Sequence, residues 1–392
     1  MSATPSGLAT SYDPVIHRWP HLVHADQLQR AVTNYLFEQS DVMLELLKQR
    51  DRVKMRPKEP DSRPFSLGYE IGAYGTNLAL LRSLESCIAL LHFQEASTRT
   101  ATSFSTAAAR LGAQTFLIQD VGRAEDSLTS RRKGETLRMT LEMYRQYHAD
   151  SLIMRSPNVA DPYMAAQLFD DYTGSHWPDH DKRWGVVINA GNGDDQHPTQ
   201  ALLDLYSIRK VAGSLSDLTI LFAGDVGRAR AVNSLLIALA NCGNNITVKL
   251  AVPVIGDYRL VPPQPTLDRL TQAGVNYELV DVPDRATFVS LAQAVDVAYY
   301  TRLQAERYGA ELAPDFAAQN AAIILMDEEL MTAAPNLHVF HPLPLREEIA
   351  EGMEEHQRAL FRRQAGWGVP VRMALLYSCI LYPEELQRLA YT

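Results

Sequence analysis

Four successive residues, Ser97, Thr98, Arg99 and Thr100, place three hydroxyl groups and a guanidinium at one point of the chain. They follow the apolar run 88–93 and precede a stretch of small residues, a pattern that predicts a strand, a turn and a helix. The free N–H groups and the positive end of such a helix would act with these side chains on one oxyanion, most naturally a phosphate. The alternative is an ordinary N-cap, for which one serine or threonine suffices.

Polar residues follow several other apolar runs of the sequence. In parallel α/β sheets, ligands bind at the carboxyl ends of the strands, so these positions are candidate contacts. They are Arg155, His197, Gln200, Arg228, Arg230, Arg302, Gln304 and the segment 341–344, His-Pro-Leu-Pro. Arginines dominate the set, which indicates that this edge binds anions, and more than one of them.

Each of these positions also has an ordinary structural explanation. A single arginine after a strand, such as Arg155, more often makes a structural ion pair than a ligand contact. His197 precedes a proline at a predicted helix start and could simply cap that helix. A neutral imidazole there would instead polarise a carbonyl oxygen, and the carboxamide of Gln200 could accept a hydrogen bond from a substrate amide. The basic segment 131–136 is by itself typical of a solvated loop.

The turn within 223–239 follows a strand and invites comparison with dinucleotide-binding sites. It lacks the G-x-G-x-x-G pattern, and arginines occupy positions where a pyrophosphate loop requires small residues. This disfavours a nucleotide-dependent oxidoreductase. Arginines directed at a carboxylate fit the segment better, and Arg302 would act with the arginines of this turn.

The elements that would position these residues alternate in type along the chain. Short apolar runs predict strands at 87–93, 115–120, 151–155, 186–189, 218–225, 246–252, 295–300, 322–326 and 336–341. Most are continuously apolar, which favours parallel strands covered by helices on both faces. We therefore expect an α/β chain of two doubly wound parallel-sheet domains in tandem. Residues 22–50 have helical spacing, and 51–80 and 173–185 are expected to be loops.

The composition narrows the class of protein. The chain has 392 residues, 46% of them hydrophobic and 21% charged, which indicates two globular domains. Its net charge of −9 disfavours nucleic acid and anionic membrane surfaces as partners. The three cysteines have no metal-ligand spacing, and neither a secretory signal nor a membrane-spanning run is visible. We therefore expect a cytoplasmic protein without disulfides or structural metal.

Six segments, taken together, resemble one enzyme family. They are FQEASTRT (93–100), KGET (133–136), MRSP (154–157), HPTQALLDLYSI (197–208), TRLQAER (301–307) and HPLP (341–344). The family is that of the aspartate and ornithine carbamoyltransferases, and the resemblance runs in order from about residue 22 to the C-terminus. It implies a carbamoyl phosphate-binding domain, 1–212 completed by a C-terminal helix 360–392, and an aspartate-binding domain, 213–359. The active site would lie in the cleft between the two domains.

The resemblance also implies a role for each candidate residue. The phosphate of carbamoyl phosphate would be held by Ser97, Thr98, Arg99, Thr100 and Arg155. The carbamoyl carbonyl would contact the catalytic residues Thr100, Arg155 and His197, and the carbamoyl amino group would contact Gln200 and the backbone carbonyl of Leu343. The carboxylates of aspartate would be bound by Arg230, Arg302 and Gln304. Arg230 is favoured over Arg228 because the R-x-V-x-S-L spacing of the family begins at Arg230.

Two further residues would act across a subunit boundary. By the resemblance, Lys133 reaches into the active site of a neighbouring subunit. Thr129 matches an accompanying hydroxyl residue by its spacing, with Ser127 and Ser130 as the alternatives in this loop. The resemblance therefore implies a homotrimer with shared active sites.

Two departures from the family pattern, Ala101 after Thr100 and Leu345 after the HPLP segment, replace basic residues that many relatives carry.

The implied reaction transfers the carbamoyl group from carbamoyl phosphate to L-aspartate, a step of pyrimidine biosynthesis, with no metal or organic cofactor. The 341–344 segment lacks the cysteine of the ornithine enzymes, and the chain has no Ser-Met-Gly segment, so aspartate is the favoured acceptor. The alternatives are another amine acceptor, or a catalytically silent paralogue that serves as a partner subunit. A silent paralogue should have lost some of the charged candidate residues, and all of them are present.

Overall fold

The computed structural model describes residues 11–14, 18–54, 80–121, 130–170, 185–255, 258–303 and 315–391. Most of the predicted loop 51–80, and the loop 173–185 except its last residue, lie outside these ranges. The described residues form two compact units. Unit 1 comprises those within Met1–Val23, Ala31–Asn192 and Trp367–Thr392, and unit 2 those within His24–Arg30 and Gly193–Gly366.

Helices and strands alternate along the chain, and we number them in chain order. The first half has α1 (Arg30–Lys54), β1 (Ile88–Phe93), α2 (Thr98–Arg110), β2 (Gln114–Gln119), α3 (Leu137–Gln146), β3 (Ser151–Ser156), α4 (Asp161–Asp170) and β4 (Val186–Asn192). The second half has α5 (Pro198–Ala212), β5 (Thr219–Ala223), α6 (Arg230–Cys242), β6 (Thr247–Ile255), β7 (Tyr258–Arg259), α7 (Gln264–Gln272), β8 (Asn276–Val282), α8 (Arg285–Gln293), β9 (Val297–Tyr300), α9 (Phe316–Ile324), α10 (Glu328–Ala333), β10 (His338–Phe340), α11 (Phe361–Leu381) and α12 (Pro383–Ala390).

The sheet of unit 1 has the strand order β2-β1-β3-β4 and is parallel throughout. Its central strands are apolar along their length because helices cover both faces, and Leu152 and Ile153 of β3 are fully buried. The register pairs Phe93, the last residue of β1, with Arg155 near the end of β3. The carboxyl ends of β1 and β3 therefore lie side by side.

The sheet of unit 2 has the order β10-β9-β5-β6-β7, with β8 also paired to β6. All of its pairs are parallel except that of β6 with β7. The register pairs Ala223 at the end of β5 with Tyr300 at the end of β9. Two parallel sheets in tandem confirm the fold class that the sequence predicts.

The predicted strands differ from the structure at three elements, the run 322–326, β8 and the two-residue strand β7, which was not predicted. The run 322–326 was expected to be a strand, but α9 continues to Ile324, and Met326 makes only an isolated bridge to Ile349. A short apolar run has no period that separates a strand from a buried helix, and the alanines of α9 favour the helix. Conversely, β8 was not predicted, because its sequence NYELVDV alternates polar and apolar residues and lacks the continuous apolar character of the other strands.

Candidate active site

The turn between β1 and α2 carries the four residues 97–100. Ser97 occupies the N-cap position of α2, but its side chain makes no capping hydrogen bond. The ordinary N-cap explanation therefore does not account for this serine. Thr98 and Arg99 are exposed, whereas Thr100 is buried. The turn thus presents hydroxyl groups, a guanidinium and the first N–H groups of a helix within four residues, which is the arrangement that binds a tetrahedral oxyanion.

The next hydroxyls of α2 are engaged within the helix itself. Thr102 Oγ1 donates to the carbonyl of Thr98, and Ser103 Oγ donates to the carbonyl of Arg99 at 2.6 Å. Candidate ligand contacts are therefore restricted to the first turn. Partial burial lowers the pKa of the Arg99 guanidinium from its usual value, and the group remains a cation at neutral pH. A partly desolvated cation attracts an anion more strongly than a fully hydrated one does.

Arg155 is fixed by partners within unit 1. Its Nε forms an ion pair with Glu95 Oε2 at 3.3 Å, and its Nη1 donates to the carbonyl of Ala190 at 3.3 Å. The carbonyl of Arg155 also accepts the N–H of Gln94 at 2.8 Å, which ties the residue to the segment that leads into the 97–100 turn. The ion pair agrees with the structural explanation of this arginine. It also fixes the guanidinium beside the turn, as preorganised anion binding requires.

Lys133 ends a short 3-10 helix, Ser130–Lys133, and is exposed. Helix α3 begins shortly afterwards, where the side chain of Thr136 accepts the N–H of Met139 at 3.3 Å. Thr129 and Gln304, two of the candidate residues, lie outside the described residues.

His197 immediately precedes α5 in unit 2 and is 7% exposed. Its side chain makes no capping hydrogen bond, so the capping explanation of this histidine is wrong. Its backbone N–H donates to Ser234 Oγ of α6 at 2.8 Å, and its Nδ1 lies 3.3 Å from Thr199 Oγ1. These contacts hold the imidazole at the N-terminus of α5.

Gln200 lies in the first turn of α5. Its Nε2 donates to Asp204 Oδ1, one helical turn further on, at 2.8 Å. Asp204 is fully buried and also accepts hydrogen bonds from Tyr299 and Gln364, both at 2.6 Å. Reasoning from the sequence missed Asp204, although the i, i+4 spacing of a glutamine and an aspartate within HPTQALLDLYSI was a signal of their contact.

Arg230 and Arg302 follow neighbouring strands of the unit 2 sheet. Arg230 is the first residue of α6, is 9% exposed, and donates from Nη1 to the carbonyl of Gly193 at 2.5 Å. Arg302 follows β9 and is half-buried. Arg228, by contrast, is exposed. Two guanidinium groups at adjacent strand ends suit the two carboxylates of one small molecule.

A glycine brings the two arginine-bearing loops together. Gly224 has φ +97°, and a Cβ at this position would collide with the carbonyl of Thr301, so the turn after β5 crosses directly over the end of β9. The N–H of Asp225 then donates to Thr301 Oγ1 at 2.9 Å, and Asp225 Oδ1 accepts the N–H of Arg228 at 2.8 Å. The close approach of these loops is thus part of the local fold of unit 2.

Leu343 follows β10 and has φ +63°, in the left-handed region that branched residues rarely adopt. Its N–H donates to His341 Nδ1 at 2.7 Å, and His341 Nε2 faces Glu348 Oε1 at 3.1 Å. Burial alone would raise the pKa of Glu348, but hydrogen bonds from His341 Nε2 and from the backbone N–H of Arg346 lower it overall. A backbone held in a costly conformation by a fixed histidine is typical of a functional position.

Metal binding and membrane insertion would each leave a recognisable feature in the described residues. Within those ranges, no group of three or more histidine, cysteine or acidic side chains is arranged to hold a metal ion. Nor does that part of the chain contain a helix with both the length and the apolar character needed to cross a membrane.

Comparisons with known proteins match both halves of the chain to one enzyme family. The family model described as the carbamoyl-P binding domain of aspartate/ornithine carbamoyltransferase matches residues 20–210, and the model of the Asp/Orn binding domain matches 216–379. The aspartate carbamoyltransferase catalytic subunit of Methanothrix thermoacetophila is 36% identical over 75% of this chain and 85% of its own length.

Solved structures of similar proteins extend over nearly the whole chain. The catalytic subunit of M. jannaschii aspartate transcarbamoylase superposes with a TM-score of 0.70 at 28% identity, covering 93% of this chain and 99% of its own. Aspartate transcarbamoylase from Trypanosoma cruzi, in complex with carbamoyl phosphate and aspartate, gives a TM-score of 0.70 at 29% identity, with 93% and 98% covered.

Proposed function

The chain belongs to the aspartate/ornithine carbamoyltransferase family, and we propose that it transfers the carbamoyl group of carbamoyl phosphate to the amino group of L-aspartate. The products are N-carbamoyl-L-aspartate and phosphate, and the reaction serves pyrimidine biosynthesis in the cytoplasm. The observation that carries the proposal is the first turn of α2, with a serine that does not cap the helix, beside an arginine fixed on the neighbouring strand.

Carbamoyl phosphate binds to the domain 1–212, completed by the C-terminal helix 360–392. Its phosphate contacts Ser97, Thr98, Arg99, Thr100 and Arg155, with Lys133 and Thr129 contributed by a neighbouring subunit. Its carbamoyl amino group donates to the side chain of Gln200 and to the backbone carbonyl of Leu343. The lack of a cap on Ser97, the partial desolvation of Arg99 and the fixed guanidinium of Arg155 support this assignment.

Aspartate binds to the domain 213–359, where Arg230, Arg302 and Gln304 contact its two carboxylates. The adjacent strand ends of β5 and β9 and the burial of Arg230 support this role. Two anionic substrates repel each other, and a unit charge pair at about 4 Å is worth on the order of 4 kcal/mol in a surface-like dielectric. Separate sets of cations for the two substrates offset that repulsion.

The catalytic residues are Thr100, Arg155 and His197, which donate hydrogen bonds to the carbamoyl carbonyl oxygen. The neutral amine of aspartate forms a bond to the carbonyl carbon, and the negative charge that develops on the oxygen is stabilised by these donors. The bond from that carbon to the phosphate oxygen then breaks, phosphate leaves with the electron pair, and the amine loses a proton. Alignment of two bound reactants supplies the rest of the acceleration without a covalent intermediate.

The active enzyme is a homotrimer with shared sites. Strand β2 lies at the edge of the sheet that the described residues of unit 1 form, and it exposes Phe116 and Leu117. Helix α3, which follows β2 in the chain, exposes Met139 and Met143. Large exposed apolar side chains on an edge strand favour a protein partner, and a second copy of the chain fits this requirement.

The experiment that tests the proposal is a carbamoyl-transfer assay with a panel of acceptors. The purified chain is incubated with carbamoyl phosphate and with aspartate, ornithine or other amines, and the carbamoylated products are quantified. We expect product with aspartate and little with the others. Equal or greater turnover with ornithine would overturn the choice of acceptor. A chain that carbamoylates none of the amines would instead be a silent paralogue.

A further inference from the structure

A buried carboxylate organises the polar groups of unit 2. Asp204 on α5 is fully buried and accepts hydrogen bonds from three donors among the described residues. These are Gln200 Nε2 at 2.8 Å, Gln364 Nε2 at 2.6 Å and Tyr299 Oη at 2.6 Å. Burying a carboxylate is costly unless several donors satisfy it, and these donors do so.

The carboxylate fixes the orientation of Gln200. An ionised carboxylate only accepts hydrogen bonds, so the amide of Gln200 must turn its NH2 group toward Asp204. The carbonyl Oε1 of Gln200 then points away from Asp204 and is presented as an acceptor. Tyr299 keeps its proton and remains a donor, because burial and the charge of Asp204 raise the pKa of its hydroxyl well above the ordinary value.

Hydrogen bonds also orient Gln364 and, through His341, hold Leu343. Gln364 also turns its NH2 group toward Asp204, so its Oε1 is left to accept the backbone N–H of His341 at 3.0 Å. His341 Nδ1 accepts the N–H of Leu343 at 2.7 Å, which places the ring proton on Nε2, toward Glu348. Hydrogen bonds therefore run outward from His341 to an acidic group on each side, through Gln364 to Asp204 and directly to Glu348.

We propose that Asp204 is the positioning residue that fixes both acceptors of the carbamoyl amino group, Oε1 of Gln200 and the carbonyl oxygen of Leu343. The inference rests on the proposed function, which assigns those two contacts to the donor substrate. An NH2 group has two N–H donors, and two preset acceptors satisfy both. Asp204 thereby makes the site selective for a carbamoyl group over an acyl group of the same shape that carries a methyl group.

The test compares the binding of three ligands by calorimetry: carbamoyl phosphate, acetyl phosphate and inorganic phosphate. Acetyl phosphate has a methyl group in place of the amino group, and phosphate lacks the acyl group altogether. In Asp204→Asn, the charge is lost and an NH2 group replaces one of the two acceptor oxygens, so an acceptor-only partner no longer enforces the orientation of Gln200. We expect affinity for carbamoyl phosphate to fall about tenfold, with acetyl phosphate and phosphate unchanged.

Ser207→Ala is the matched control. Ser207 is buried on the same helix, one turn beyond Asp204, and its Oγ donates to the carbonyl of Leu203 at 2.7 Å. This variant should keep the wild-type preference for carbamoyl phosphate over acetyl phosphate. A purely structural effect of Asp204→Asn would weaken all three ligands alike, and that outcome overturns the inference, as does an unchanged preference.

Two further variants keep the test decisive if Asp204→Asn folds poorly. Gln364→Leu cuts the link to His341 while leaving Gln200 bonded to Asp204, and we expect a loss of about threefold for carbamoyl phosphate alone. In a Gln200→Ala background, Asp204→Asn should add less than it does by itself, because it acts partly through Gln200. An unaltered preference of Gln364→Leu for carbamoyl phosphate over acetyl phosphate contradicts the proposal, as does full additivity of Asp204→Asn and Gln200→Ala.

A wild-type chain that binds no carbamoyl phosphate overturns the proposed function itself, which distinguishes the two failures.

Discussion

The two units hold their candidate substrate contacts in different ways. In unit 1, the groups of the 97–100 turn belong to one helix end, and Ser97 is not used to cap it. In unit 2, Gln200 and the backbone of Leu343 are held by other side chains, and the network that holds them is buried. A helix end with open donors accepts any tetrahedral oxyanion, whereas a preset pattern of donors and acceptors selects one chemical group. The 97–100 turn of unit 1 should therefore govern how strongly the donor substrate binds, and the buried network of unit 2 which donor is chosen.

Arg99→Ala, in the 97–100 turn of unit 1, is expected to have the largest effect on activity. The bound phosphate loses a charge-assisted partner that is already partly desolvated. We therefore expect kcat/KM for carbamoyl phosphate to fall by about two to three orders of magnitude. The loss should be the same for every acceptor amine, because Arg99 contacts only the donor. Steady-state kinetics with saturating aspartate measure it.

Arg110→Ala is the control for that variant. Arg110 lies in the last turn of the same helix and has no place in the proposed site. Its replacement should leave kcat/KM near the wild-type value. Near-normal rates for Arg99→Ala would contradict the phosphate role of the turn, and unit 1 would no longer differ from unit 2 in the way described.

Arg230→Ala tests the unit 2 side of the comparison. We expect kcat/KM for aspartate to fall about a hundredfold, because a nearly buried guanidinium would no longer pair with a substrate carboxylate. The equilibrium affinity for carbamoyl phosphate should be unchanged. The exposed Arg228 is two residues away, and Arg228→Ala should have little effect on either quantity. If Arg228→Ala produced the larger loss, the assignment of the two arginines would be reversed.

Mixed trimers test whether unit 1 supplies its cations across a subunit boundary. Chains with Lys133→Ala and chains with His197→Ala are each expected to be nearly inactive as homotrimers. Random mixing in equal amounts should restore about a quarter of the sites in the whole mixture, and about a third of the sites in the mixed trimers themselves, since a whole site needs one chain of each kind in the right order. Activity is measured on mixed trimers separated by differential tagging. No recovery in verified hybrids would confine each site to one subunit.

Much of the fold was accessible from the sequence because its signals are local. Strands such as β3 are continuous apolar runs, and the polar residues after them lie at the carboxyl ends where ligands bind. The positions of Arg155 and Arg230 follow from this rule alone. Run 322–326 was misassigned because its apolar character is equally compatible with a buried helix, and only the packing of α9 decides between them.

The contacts that hold the candidate residues were not accessible in the same way. Glu95 and Asp204 are acidic residues in a region chosen for its cations, and their roles depend on partners far along the chain. Gln364 lies 160 residues from Asp204, so no local spacing connects them. Sequence patterns therefore indicate candidate substrate contacts, whereas the groups that orient them depend on contacts that only the folded chain makes.

Glu348→Gln gives the smallest expected effect and bears on the acidic end of the unit 2 network. Burial alone would raise the pKa of Glu348, but the hydrogen bonds from His341 and from the backbone bring it below its ordinary value of 4.5. Because the folded-state pKa is the lower one, the carboxylate stabilises the protein above about pH 4.5, and this stabilisation is lost as the pH falls through the folded-state pKa. Urea midpoints should show Glu348→Gln less stable than the wild type at pH 7, and this difference in midpoint should disappear in acid.

The exposed neighbour Glu347 provides the control, since Glu347→Gln should show no such pH-dependent gap. A gap that stays constant into acid would mean that the charge of Glu348 does not hold His341, and the preset polarity of unit 2 would then need another source.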